Sequence, residues 1–240
     1  MDVTQQVAGG AHVLDVNMGV PLTDEADLLS RAVKLLQAMT DLPLCIDSSV
    51  AEALEAGLSA YEGKALVNSV TAEDDRVELI LPLVKRHDAA VIGLPNDETG
   101  IPATAQERVE LTGKLLLAAE RHGIPAEDVV IDPLAMSVGA DSDAVNITLE
   151  AIERIRDTYG VNMTCGASNV SFGLPNRHAL NATFLPVAAS HGLTSAVMDA
   201  RTPAIVEAVR AGDLLLGKDP WGGAWIAEFR RRQQERAGGA

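Results

Sequence analysis

The residues with the chemistry to hold a ligand stand where apolar runs give way to Asp, Asn or Ser. The fullest example is Gly166-Ala167-Ser168-Asn169-Val170-Ser171-Phe172-Gly173-Leu174-Pro175, entered by a β-rich run, 161–165, and left by a helical segment, 177–190. Gly166, Ser168 and Gly173 let a flat molecule approach the backbone, and Asn169 offers an uncharged amide that donates and accepts at once. An ordinary strand-to-helix loop would use the same residues. What favours a ligand site is repetition: Asp15 and Asn17, Asp47, Asn68, Asp132 and Asp199 each close an apolar run as well. Asp15 and Asn17, two apart in an extended segment, share one face. For each of these carboxylates and amides the plain alternative is a helix N-cap or a turn former.

The elements that must position these groups are seven predicted strands, 12–17, 42–46, 65–67, 89–94, 129–131, 161–165 and 194–198. A helix is expected after each, over 24–39, 50–60, 73–87, a long segment ending at His122, 143–159, 177–190 and 203–211. Thr23 and Asp24 are candidate caps for the first of these, and Ala26, Leu28, Leu29, Ala32, Val33, Leu36 and Met39 recur at helical spacing. The polar stretch Pro95-Asn96-Asp97-Glu98-Thr99-Gly100-Ile101-Pro102 is a candidate lid, and 221–232 reads as a final amphipathic helix.

Nearly continuous apolar strands alternating with helices mean a parallel sheet covered by helices. A doubly wound open sheet would usually carry a glycine-rich phosphate loop after its first strand, and this chain has neither GxGxxG nor a P-loop. The expected fold is therefore α/β, a TIM (β/α)8 barrel forming one domain over residues 1–240, with its site at the carboxyl ends of the strands. Residues 2–9 read as the end of a helix closed by Gly9-Gly10, so the barrel is expected to lack its first strand.

Composition narrows the function classes. The 240 residues carry a net charge of −15 and are only 3% aromatic, which speaks against nucleic acid and against base-stacking platforms. Cys45 and Cys165 fall inside predicted strands with no short spacing and read as free buried thiols. The five histidines, His12, His87, His122, His178 and His191, form no pair at metal-ligand spacing, so no metal is assigned. No apolar run has the ~18 residues needed to span a membrane and no signal-like segment opens the chain, so a cytoplasmic protein is expected.

A ring of carboxylates and amides is poorly suited to nucleophilic catalysis. No Ser–His pairing is evident, Lys64 and Lys114 lie outside the strand ends, and the two tryptophans are too near the C-terminus to form a sugar platform. Such a ring does suit a heterocycle with adjacent N–H donors, since one carboxylate accepts two parallel hydrogen bonds from an amino group and a ring N–H. A pterin has that edge. Leu14-Asp15-Val16-Asn17, Cys45-Ile46-Asp47-Ser48, Val67-Asn68-Ser69, Val130-Ile131-Asp132-Pro133-Leu134 and Gly166-Ala167-Ser168-Asn169-Val170-Ser171, in that order, resemble the pterin-binding methyltransferases. These include the methyltetrahydrofolate:corrinoid methyltransferases and the folate domain of cobalamin-dependent methionine synthase.

The resemblance runs from about Gly9 onward. It implies methyl transfer between N5 of methyltetrahydrofolate and a cobalamin or other corrinoid carried by a separate protein, in a direction it leaves open. It implies that Asp47, Asn68 and Asp132 grip the pterin, Gly166 and Ser168 line the ring, Asp15 and Asn17 support the pocket floor, and Asn169 reaches N5 as the catalytic group. Arg177 would secure the loop after Asn169 or meet the folate tail, and a homodimer is expected. Two departures from the family stand out: its Glu-Arg-Ile-Asn-like first-strand segment is absent, and Phe172 stands where some members have a polar side chain near N5. The alternatives are a dihydropteroate synthase-like enzyme, though the basic Ser-Arg-Lys-like segment of that family is not found here, and a pterin-binding protein without catalysis.

Overall fold

A computed structural model describes residues 2–238. Six strands, β1 (Leu14–Asn17), β2 (Leu44–Asp47), β3 (Leu66–Thr71), β4 (Ala90–Leu94), β5 (Val129–Ile131) and β6 (Asn162–Met163), pair in parallel in the order of the chain. Helices occupy the connections: α1 (Asp2–Gly9) before β1, then α2 (Glu25–Gln37), α3 (Ala51–Ala60), α4 (Asp74–Arg86), α5 (Ala105–Arg121), α6 (Ala144–Tyr159), α7 (Arg177–His191), α8 (Pro203–Leu215) and α9 (Gly223–Gly238). Sequential parallel order distinguishes the wall of a (β/α) barrel from a doubly wound sheet, whose strand order reverses.

The strands form because both of their faces are covered. Leu44, Ile46, Val67, Val91, Ile131 and Met163 are fully buried, the pattern of strands sandwiched by helices. The helices packed on the sheet contribute apolar stripes, Val77, Ile80, Leu81 and Val84 in α4 and Leu29 and Val33 in α2. Burying a side chain such as Ile80 contributes roughly 1.5–3 kcal/mol. The helix starts are fixed by side chains, with Asp24 accepting from Asp27 N at 3.1 Å and Thr104 and Glu107 closing a reciprocal capping box on α5. Met39, expected on the buried stripe of α2, lies beyond its end and is exposed.

Several boundaries differ from the sequence reading for physical reasons. The expected strand at 194–198 is reduced to a single parallel bridge between Gly166 and Val197. Its first residues compete with their own ladder: Thr194 Oγ1 accepts from Met163 N and donates to Met163 O, both at 2.8 Å, and Ser195 Oγ donates to the same carbonyl at 3.1 Å. Conversely, β3 runs three residues past Asn68, with a register shift between Asn68 and Val70. The final helix begins at Gly223, because Trp221 takes a left-handed conformation (φ 60°) in the turn Pro220–Gly222. α8 continues four residues beyond 211, to Leu215.

The expectation of an absent first strand concerns positions before residue 2 and lies outside the described residues. α1 is present as read, and it meets the end of the 194–198 segment: Gln6 donates to Asp199 Oδ1 at 3.0 Å and accepts from Ala200 N at 2.9 Å. Cys45 and Cys165 are free and buried, and burial raises both thiols well above the ordinary range. No helix among the described residues is long and apolar enough to cross a membrane.

Candidate active site

The parallel register brings Asn17, Asp47 and Asn68 into one row across β1, β2 and β3, since Asn17 pairs with Asp47 and Asp47 with Asn68. Asn17 Nδ2 donates to Asp47 Oδ2 at 3.0 Å, while Asn17 Oδ1 accepts from Gly19 N at 2.9 Å, which fixes the orientation of the amide. Asn68 Nδ2 reaches Asp15 Oδ1 at 3.5 Å, the outer limit of a hydrogen bond. Asp47 is half-buried, and burial raises its pKa, with Asp15 and Glu25 adding repulsion against the hydrogen bond from Asn17. The next residue, Ser48, is buried and donates to Glu25 Oε1 at 2.5 Å. The side-chain hydrogen bonds of Asp15, Asn17, Asp47 and Asn68 among the described residues involve no Lys or Arg.

Asp132 immediately follows β5, two strands further round, with its own N donating to Gly93 O at 3.0 Å. The chain turns sharply after it. Leu134 takes φ 63°, and its N–H donates back to Asp132 Oδ1 at 2.8 Å. Burial pushes the Asp132 carboxyl up to about 6, against the opposing pull of Leu134 N and of Arg108. A carboxylate in this setting gains from any ligand that supplies N–H donors, because those donors replace hydration it has lost.

The loop after β6 is built by hydrogen bonds on its far side. Arg177, at the start of α7, donates through Nη2 to Ser168 O at 2.7 Å and through Nε to Ser171 Oγ at 3.1 Å. The buried Asn181 amide is oriented by its neighbours, with its nitrogen directed to Ser171 Oγ at 2.7 Å, Ala167 O at 3.3 Å and Arg177 O at 3.2 Å. Ser171 Oγ can then accept from both and donate to Ser168 O at 3.3 Å. Asn169 opens the short helical turn Asn169–Ser171, and its side chain lies over Gly166 so closely that a Cβ there would stand 3.1 Å from Nδ2. Gly166 therefore lets the amide lie flat against the loop. Phe172, 70% exposed, faces solvent with the Arg177 guanidinium 5.9 Å from its ring centroid.

Asp15, Asn17, Asp47 and Asn68 thus form two hydrogen-bonded pairs, Asn17–Asp47 and Asn68–Asp15, side by side at the carboxyl ends of β1 to β3, while Asp132, Gly166, Ser168 and Asn169 follow β5 and β6. Arg177 is engaged with the Ser168 loop. Asp199, another strand-end acid in the sequence reading, is committed to Gln6 and to Arg201, whose hydrogen bonds hold its carboxyl down at about 2. Sequence reasoning passed over Glu25, Ser48, Arg108 and Asn181. For Arg108 a signal existed: it falls on the apolar stripe of α5 with Ala105, Thr112 and Leu115, all buried.

A barrel carrying acids and amides on successive strand ends is the architecture of a pterin site, and the chain belongs to the pterin-binding enzymes: residues 1–199 match the family described as "Pterin binding enzyme". Within that class it is 34% identical, over 217 residues, to the methylcorrinoid:tetrahydrofolate methyltransferase of Eubacterium limosum, covering 89% of this chain and 80% of that protein. It is also 34% identical over 210 residues to the methionine synthase of Mycobacterium tuberculosis, covering 81% of this chain and 17% of that much longer protein. Among solved structures, dihydropteroate synthase from Xanthomonas albilineans in complex with 7,8-dihydropteroate superposes with a TM-score of 0.72 at 21% identity, over 89% of this chain and 84% of that one. At that identity the likeness speaks for the fold alone.

Proposed function

We propose that this chain transfers a methyl group between N5 of methyltetrahydrofolate and the cobalt of a corrinoid carried by a separate protein. The observation that carries the reading is the Asn17–Asp47–Asn68 row, with the raised Asp132 carboxyl beyond it. This donor set favours a neutral, N–H-rich ring over an anion, and the 34% identity to a methylcorrinoid:tetrahydrofolate methyltransferase supports that choice. Asp47, Asn68 and Asp132 accept from and donate to the pyrimidine edge of the pterin, Asp15 and Asn17 hold Asp47 and Asn68 in place, and Gly166 and Ser168 line the ring.

The corrinoid supplies a cobalt centre that takes or gives the methyl group. The task left to this chain is at N5. When the methyl group leaves, the C–N electron pair stays on N5, and a hydrogen bond or proton must meet it as the bond breaks. Asn169 donates a hydrogen bond to N5 in that state while the proton N5 takes up comes from solvent, and in the reverse direction its amide oxygen accepts from N5–H before that proton returns to solvent. Arg177 and Asn181 hold the loop that presents it.

Exposed apolar side chains on the strand-end loops, Val20 and Leu22 after β1, Ile101 after β4 and Phe172 after β6, give the mouth a surface for the corrinoid protein. The enzyme works in the cytoplasm as a homodimer, and sedimentation of the purified chain checks the assembly.

Calorimetric titration of the full chain with methyltetrahydrofolate tests the reading, beside Asp132→Ala and Asn169→Ala, followed by methyl transfer to a corrinoid protein read by visible absorbance. Saturable binding lost in Asp132→Ala, and transfer lost in Asn169→Ala, are expected. A folded wild-type chain that binds no methyltetrahydrofolate overturns it.

A further inference from the structure

Among the described residues Arg108 is a cation buried in the interior. It lies in α5, is only 2% exposed, and touches no carboxylate by hydrogen bond: Nη1 donates to Pro133 O and Leu134 O at 2.8 Å each and to Thr148 Oγ1 at 3.4 Å. Nε and Nη2 both donate to Pro102 O at 3.4 Å. A buried guanidinium is costly unless its five N–H groups are satisfied and a negative charge stands near. Here the satisfying groups are backbone carbonyls of two loops, and the carboxylate that offsets its charge is Asp132.

The geometry places this cation behind the Asp132 turn. Leu134, at φ 63°, sends its N–H forward to Asp132 Oδ1 and its carbonyl back to Arg108 and to Thr148 Oγ1, the latter at 3.2 Å. A two-pronged contact on consecutive carbonyls fixes a turn more tightly than a single bond, because it removes the rotation that one bond would leave. The other end of the guanidinium grips Pro102, at the base of the polar loop between β4 and α5. One side chain thus ties together two loops of the mouth.

We propose that Arg108 is a positioning residue for pterin recognition: it clamps the Asp132-Pro133-Leu134 turn so that the carboxylate faces the ligand ionised, and anchors the 95–104 loop beside it. This rests on the reading that Asp132 holds the pterin. The ionisable groups facing Asp132 are Arg108 from α5 and the Cys165 thiol from the segment after β6, and burial keeps that thiol neutral. Arg108 is thus the one positive charge facing Asp132 among the described residues, and it adds to the pull of the Leu134 N–H, which it also holds in place, toward the ionised form.

The test is the affinity for methyltetrahydrofolate measured from pH 5 to pH 9 in the full chain, for wild type, Arg108→Met, Arg108→Lys and Thr148→Val. Wild-type affinity should rise with pH up to about 6 and then level. In Arg108→Met the midpoint should move up by at most about one pH unit, with affinity about fivefold weaker at pH 7, more than that at pH 5, and about threefold weaker at pH 9, where only the lost fork counts. Arg108→Lys keeps the charge without the fork, so its midpoint should stay while affinity falls about threefold at every pH.

A uniform loss across pH in Arg108→Met overturns the proposal, since a merely structural role would act so, and so does wild-type affinity in Arg108→Lys. Should Arg108→Met not fold, Arg108→Lys and Thr148→Val decide, the latter expected to weaken binding about threefold with its midpoint unmoved; wild-type affinity in either overturns the clamp. A wild type that fails to bind sinks the pterin reading itself, whereas wild-type binding with unaltered variants sinks only the role of Arg108.

Discussion

Asn17 donates its amide to Asp47 at 3.0 Å and is also its register partner across β1 and β2, so two adjacent strand ends are joined through side chains as well as backbone. The amide offsets part of the burial that raises the Asp47 pKa. In Asn17→Ala that opposition disappears and Asp47 protonates at a higher pH than in wild type. Methyltetrahydrofolate affinity should then fall, and by more at pH 6 than at pH 8. Titration at the two pH values checks this, and an equal loss at both contradicts it.

Asp132 sets function against stability. Its folded pKa of about 6 stands above the unfolded value of roughly 3.9. Its contribution to stability is therefore fully present below pH 4 and lost as pH rises through 6. Asp132→Asn keeps an oxygen to accept from Leu134 N and cannot ionise, though it leaves Arg108 without its counter-charge. The variant should be more stable than wild type by about 1–2 kcal/mol at pH 7.5 and equal to it near pH 4, while losing at least ~100-fold in pterin affinity. Urea denaturation at both pH values measures the first effect.

Asn169 acts at a bond that is made and broken. Asn169→Ala should lower kcat for methyl transfer about 10²- to 10³-fold while changing the methyltetrahydrofolate Kd by no more than about threefold. Single-turnover transfer beside equilibrium binding separates the two. A loss of affinity equal to the loss of rate would make Asn169 a binding group only.

Leu22, fully exposed, and Phe172 stand on loops at the same end of the barrel. Leu22→Ser with Phe172→Ser should lower kcat/KM for the corrinoid protein about tenfold and leave the methyltetrahydrofolate Kd unaltered. Wild-type kinetics toward the corrinoid protein would show that it docks elsewhere.

The clamp at Arg177 makes a structural prediction. Arg177→Ala removes two hydrogen bonds that hold Ser168 and Ser171, so thermal stability should fall by about 1–3 kcal/mol and transfer should slow more than binding weakens. Thermal denaturation with the same transfer assay decides.

The order of amino acids by itself determined the alternation of strands and helices, the barrel class, and the placing of Asp15, Asn17, Asp47, Asn68, Asp132 and Asn169 at strand ends. These are legible because strand and helix periodicities and the Asp/Asn punctuation are local properties of the chain. The boundary at Asp24 was legible for the same reason, since capping acts within one helical turn.

Only the tertiary structure decided which of these groups meet. The Asn17–Asp47–Asn68 row depends on register between strands about 20–30 positions apart in sequence, and no local pattern encodes register. The same holds for the lost strand at 194–198, where hydroxyls of Thr194 and Ser195 capture the Met163 backbone, a competition visible only once the segments are side by side. Arg108 shows the division most plainly. Its position on the apolar stripe of α5 was readable as an oddity, but its meaning, a buried cation gripping the carbonyls behind Asp132, exists only after folding brings α5 against the turn after β5.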